Sequence, residues 1–161
     1  MHKILVAYFS ASGVTAALAR RLALATGADV REIKPAVPYT TADLDWTDSA
    51  SRSSIEMKDK SFRPALADDV SADCSAYDTV FVGFPIWWYV APTIINSFLE
   101  KCDLHGKTVI PFATSGSSGM GRTSAELAPS CPGADVKEGK RFRASASAEE
   151  LKVWADGFLK N

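Results

Sequence analysis

Val6-Ala7-Tyr8-Phe9-Ser10-Ala11-Ser12-Gly13-Val14-Thr15 is the stretch on which the reading of this chain turns. Lys3 to Phe9 is a short apolar run with β-branched and aromatic members, and the next six residues are small and rich in hydroxyls. From Ala16 through Leu22 the apolar positions take helical spacing, so the pattern is strand, tight loop, helix. A helix that starts just past such a loop directs its unpaired N–H groups and the positive end of its dipole into it, which stabilises an anion there. Ser10, Ser12 and Thr15 add hydroxyls, Gly13 permits close backbone approach, and Val14 continues the loop into the helix. The alternative is that Ser10 or Ser12 merely caps the helix. Against it stand three hydroxyls and a Gly at the carboxyl end of a first strand, where open α/β sheets bind ligands. A nucleotide triphosphatase loop needs a Lys after its second Gly; this one has no cation, and suits a single phosphate monoester.

Outward from that stretch, the first helix is predicted from about Val14 to Ala25, stopping at Gly27 with Leu18 and Leu22 facing a sheet. Ala28 to Ile33 alternates apolar and charged residues, as an edge strand does. Residues 34–76 break the pattern with prolines and many Ser, Thr and Asp, which reads as a long surface excursion with one short helix around Ser51 to Lys60. Loops of that length are often functional, so the excursion is either a flank over the site or decoration. Asp78 to Phe84 is nearly continuous apolar, the mark of a strand buried on both faces. Thr93 to Lys101 reads as a helix, Lys107 to Ala113 as a second buried strand, and a further helix runs to about Ala128. A weak strand falls within Ala134 to Phe142, and a last helix from about Ala148 to Lys160 carries Leu151, Trp154 and Phe158 at core spacing. Alternating strands and helices imply a parallel, doubly wound α/β sheet of five strands.

The loops after the first, third and fourth strands leave from one edge of such a sheet. The second holds Pro85, Ile86, Trp87, Trp88 and Tyr89 before Val90-Ala91-Pro92. Rings of that size outside any regular element are costly to leave in water, so the stretch reads as an aromatic wall, as core with one Trp turned back, or as a partner surface. The third holds Thr114, Ser115, Gly116, Ser117, Met120 and Gly121, and its backbone could hydrogen-bond a ring edge or simply cap the next helix.

At 161 residues, 47% hydrophobic, 23% charged and with a net charge of −1, the chain reads as one globular domain spanning 1–161, with no electrostatic case for nucleic acid or an anionic membrane. No apolar run is long enough for a membrane span, and the N-terminus lacks a signal-peptide pattern, so a cytoplasmic location is the default expectation. Cys74, Cys102 and Cys131 are widely spaced and odd in number; with only His2 and His105 as companions they do not make a zinc pattern and are expected to be free thiols.

Ser10-Ala11-Ser12-Gly13-Val14-Thr15 resembles the phosphate loop of flavodoxins, of the form Ser/Thr-x-Thr/Ser-Gly-x-Thr. The segments Gly83-Phe84-Pro85-Ile86-Trp87-Trp88-Tyr89 and Thr114-Ser115-Gly116-Ser117-Ser118-Gly119-Met120-Gly121 resemble the other two flavin loops of a bacterial branch of that family. The resemblance implies a flavodoxin-like doubly wound three-layer sandwich with strand order 2-1-3-4-5. It also implies FMN as cofactor, with its phosphate on the first loop, its ring against the second and its pyrimidine edge on the third. The function expected is an FMN redox protein, passing electrons from NAD(P)H or a reductase to a small acceptor such as a quinone, or to a redox partner protein. The alternatives are a one-electron carrier and a non-redox module for a phosphate ligand or a protein. The departure from acidic carrier flavodoxins is a near-neutral charge and flavin loops poor in acids. No Gly-x-Ser-x-Gly elbow is present, the first loop has no Gly-x-Gly-x-x-Gly, and the first and third strands end in Phe9-Ser10 and Phe84-Pro85 rather than acids, which argues against a serine hydrolase, a dinucleotide fold and a phosphoreceiver.

Overall fold

The computed structural model describes residues 3–10, 13–45, 47–59, 61–67, 74, 76–87, 91–114, 120–121 and 123–159. Strands β1 (Ile4–Tyr8), β2 (Asp29–Glu32), β3 (Thr79–Pro85), β4 (Thr108–Thr114), β5 (Asp135–Val136) and β6 (Lys140–Phe142) alternate with helices α1 (Val14–Thr26), α2 (Arg52–Lys58), α3 (Thr93–Lys101), α4 (Thr123–Leu127) and α5 (Ala148–Leu159). All pairings between these strands are parallel, in the order β2-β1-β3-β4-β5, with β6 also on β4. The single fifth strand expected from the sequence is two short pieces. Thr108 pairs with Asp135 and Phe112 with Lys140, so both pieces border the same edge of β4.

The central strands read as unbroken apolar runs because both faces are covered. On β3, Phe81 faces a core made with Val6, Leu18, Leu22, Ile110, Phe112, Phe142 and Leu151, under α1 and α5. Val80, Val82 and Phe84 face the other core, with Leu5, Phe9, Ile94, Ile95, Phe98 and Leu99, under α3. Trp154 belongs to the first face, with its ring 5.0 Å from Phe142 and 5.6 Å from Phe81. Helix α1 ends as its sequence says, at Gly27 in the left-handed conformation (φ 71°).

One expectation is corrected. The thiols are not all free: Cys74 and Cys102 form a disulfide, with Cα atoms 5.9 Å apart, and Cys131 alone is free and buried. Spacing could not show this, because the bond joins the lead-in to β3 with the residue capping the end of α3. Within the excursion, the short helix expected around Ser51 to Lys60 is α2, and part of the segment is fastened to the body. Pro35 bridges Leu66 in antiparallel fashion, α2 starts on a Ser51 cap, and Ser53, Ser54 and Glu56 are buried. Among the described residues, no helix is long and apolar enough to cross a membrane.

Candidate functional site

The first loop is built around Ser10. Its Oγ accepts the amides of Gly13 (3.0 Å) and Ala16 (3.2 Å), so the hydroxyl folds the chain into the first turn of α1 while keeping its own hydrogen to donate. The helix is capped by Gly13 at φ 94°, a conformation that strains any residue with a Cβ, and Gly13 brings no side chain to its amides. No hydrogen bond among the described residues engages the Val14 or Thr15 amide, and both stand at the positive end of the helix dipole. Ser12 lies outside the described residues.

Thr114, the last residue of β4, joins the three loops. Its hydroxyl pairs with that of Thr15 at 2.7 Å, both residues being buried. Its carbonyl accepts the Ile86 amide at 3.2 Å, and its backbone stands opposite Pro85 across the sheet. Residues far apart in sequence therefore meet at one point of the carboxyl edge. Beyond it, Met120 packs half-buried on the α3-side core and its carbonyl accepts the amide and hydroxyl of Thr123, while Gly121 is exposed with φ 55°. Ser115, Gly116 and Ser117 lie outside the described residues.

In the second loop Trp87 is turned back. Its ring stands edge-on to Phe9 at 5.8 Å and to Tyr39 at 5.6 Å, and Phe9 and Tyr39 meet at 5.5 Å, closing a triangle of rings. Ile86 packs on the same core. An outward-facing wall would therefore fall to Trp88 and Tyr89, which lie outside the described residues.

Tyr39 comes from the excursion, and sequence reasoning missed it. The Arg52 guanidinium lies 3.8 Å from the centre of its ring, and its phenol donates to the Glu56 carboxylate, which Arg52 also binds at 2.8 Å. Burial first, then that carboxylate, push the phenol well above its ordinary range. The only sequence signal was indirect: an excursion leaving from the edge strand next to the first loop. A second tie runs from Arg63, whose Nε binds Glu100 at 2.9 Å, through Glu100 to Ser130 (2.8 Å) and from Ser130 to Asn96 (2.9 Å). The Arg63 hydrogen bond, followed by that of Ser130, holds Glu100 below the usual carboxylate range. Among the described residues, no group of His, Cys, Asp and Glu is placed to hold a metal ion.

A family model described as Flavodoxin matches residues 3–158. The chain belongs to the flavodoxin family. Among solved structures, a candidate flavoprotein of Bacteroides eggerthii shares 46% identity over all of both chains with a TM-score of 0.92. A candidate flavoprotein of Bacteroides uniformis shares 51% identity over 96% of this chain and 98% of its own, at a TM-score of 0.89. A flavoprotein of Lactobacillus acidophilus, solved in complex with FMN, shares the flavodoxin fold at 22% identity, with a TM-score of 0.70 over 96% of this chain and 99% of its own. Comparison with curated proteins finds no match.

Proposed function

We propose that this flavodoxin-family chain binds FMN at the carboxyl edge of its sheet and works as a redox protein, passing electrons from a reduced nicotinamide or a reductase to a small acceptor such as a quinone. The observation that carries the reading is the junction at Thr114, where the first loop arrives through Thr15 and the second through Ile86. The Lactobacillus protein in complex with FMN and the Bacteroides candidate flavoproteins support flavin as the ligand class.

The residues present fit the group. An uncharged cradle whose donors are backbone amides and hydroxyls suits a phosphate monoester. Ser10, Ser12, Gly13, Val14 and Thr15 would hold it. In the Thr15–Thr114 pair one hydroxyl donates to the other, which leaves one hydrogen over for the ligand. Pro85 and Ile86 would border the ring and Trp88 and Tyr89 would flank it, while Trp87 stays in its triangle with Phe9 and Tyr39. The backbone of Thr114, Ser115, Gly116, Ser117, Met120 and Gly121 would meet its polar edge. When bound, FMN supplies a centre that accepts hydride and releases electrons singly or in pairs. With a nicotinamide donor the balanced sum is NAD(P)H plus a proton plus quinone giving NAD(P)⁺ plus hydroquinone.

The test is a paired titration with FMN and riboflavin. FMN should bind with quenched flavin fluorescence, and riboflavin far more weakly. Thr15→Val should weaken FMN binding roughly ten- to a hundredfold, as loss of a hydrogen bond to a charged group of about 1.5–3 kcal/mol requires, and barely change riboflavin. Equal loss for both ligands would put the phosphate elsewhere. Unchanged absorbance and Trp fluorescence at saturating FMN would end the redox reading.

A further inference from the structure

The excursion leaves the sheet from β2, whose last residue, Glu32, stands opposite Tyr8, and the next amide, of Ile33, is held by the Tyr8 carbonyl at 2.6 Å. It therefore starts beside the carboxyl end of β1, and Tyr39 meets a ring from each of two loops there. Phe9, buried, is the residue before Ser10. Trp87 is the residue after Ile86, whose amide is fixed by the Thr114 carbonyl. Through Tyr39 the excursion thus touches the first and second loops at once.

The Tyr39 ring is itself held in one orientation. The Arg52 guanidinium covers it, 3.8 Å from the ring centre, and the phenol donates to Glu56, whose side chain is 4% exposed. Arg52 closes the set: its Nε donates to Glu56 at 2.8 Å, and its Nη1 donates at 2.7 Å to the carbonyl of Val37, two residues before Tyr39. An ion pair largely out of water brings little net stability over apolar residues of similar volume. A satisfied polar cluster does, however, admit few arrangements. What Arg52 and Glu56 add is therefore the orientation of Tyr39.

The Trp87 ring depends on that orientation. It stands edge-on to Phe9 (interplanar angle 90°) and to Tyr39 (76°), the geometry that aromatic pairs favour. Without the Tyr39 ring, one of those two partners is lost.

We propose that Tyr39 is a positioning residue for the flavin site: it holds Trp87 inward, and so keeps the crevice between the first and second loops clear for the flavin ring. The inference rests on the FMN reading above. The experiment compares the wild type, Tyr39→Phe and Tyr39→Leu by titration with FMN and riboflavin, and by thermal unfolding without flavin. Tyr39→Phe keeps the ring and takes a hydrogen bond from a buried carboxylate, so it should melt lower than the wild type yet bind FMN nearly as tightly. Tyr39→Leu keeps apolar bulk without the ring. It should bind FMN and riboflavin alike about tenfold more weakly, on the scale of lost aromatic pairs, and alter the visible circular dichroism of bound FMN. If Tyr39→Leu does not fold, Tyr39→Met, flexible enough to fill the gap, is read in its place with the same expectation. FMN affinity that follows the melting temperature through both variants would overturn the proposal, as would wild-type affinity without the ring. Failure of the wild type to bind FMN would instead overturn the flavin reading. The hold on Trp87 is then read on flavin-free protein, where the emission that Trp87→Phe removes should be more open to acrylamide in Tyr39→Leu than in the wild type; equal quenching would overturn the proposal.

Discussion

The absence of a side chain at Gly83 lets β3 and β4 lie as they do. Gly83 stands opposite Phe112 in the register of the two strands, and a Cβ placed on it would overlap the Phe112 ring. The ring cannot retreat, because Phe112 is fully buried beneath Trp154, whose centroid is 6.4 Å away. The carbonyl of Gly83 also receives the Phe9 amide at 2.9 Å, so any shift there is passed to the start of the phosphate loop. Gly83→Ala should therefore cost roughly 1–3 kcal/mol, the usual penalty for overpacking, read as a lowered denaturant midpoint with unchanged m-value. A change within about 0.5 kcal/mol, the size of an ordinary surface substitution, would show that the ring does move aside. In the sequence Gly83 is only one member of an apolar run, since its partner lies in another strand and the overlap depends on register. By contrast, Gly27 was legible, because its demand for a left-handed backbone is local to a helix end, whereas Gly13 read only as a point of close approach and proves also to cap the helix.

Among the elements, the helices read correctly wherever their pattern is long. Helix α3 covers the predicted Thr93–Lys101 with Ile94, Ile95, Phe98 and Leu99 inward, and α1 and α5 agree with expectation within a residue or two. The divided fifth strand and the fastening of the excursion were not legible, because each is decided by what lies opposite it rather than by its own periodicity. Tyr39 shows this best: it stands between Pro38 and Thr40 in a stretch without strand or helix periodicity, yet it packs against Phe9 and Trp87. The disulfide is of the same kind, closing a separation of 28 residues between the lead-in to β3 and the end of α3. Such a loop makes the bond worth roughly 2–4 kcal/mol, chiefly through the unfolded chain. Cys102→Ser should lose about that much stability in oxidising buffer, and wild type and variant should converge in reductant. Alkylation of native protein tests the pairing directly: Cys131, its thiol pushed by burial up to about 11, should react slowly, and Cys74 and Cys102 not at all before reduction. Three thiols labelled without reductant would remove the bond. The pairing also pulls against the cytoplasmic expectation, since structural disulfides persist mainly in oxidising compartments.

For the whole molecule, the order 2-1-3-4-5 brings the loops after β1, β3 and β4 to one edge, and the Thr15–Thr114–Ile86 junction is the physical form of that convergence. The positions of these loops were legible because they follow the three most apolar strands; that Trp87 turns inward was not, because the rings that hold it, Phe9 and Tyr39, lie far from it in sequence. What the loops lack bears on how electrons move. One-electron carriers of this fold steady the half-reduced flavin by turning a peptide towards it, a movement that Gly permits by taking positive φ. Between Phe84 and Pro92 there is no Gly, and no Asp or Glu to repel a reduced, anionic ring. A residue with a Cβ would meet a cost of about 1–2 kcal/mol in that turn, which is about tenfold or more against the half-reduced state. Trp87, in the same segment, is held between Phe9 and Tyr39. Stepwise reduction of the FMN-loaded protein under argon should therefore pass from the oxidised to the fully reduced spectrum with little long-wavelength absorbance between. A strong band at half reduction would restore the one-electron carrier.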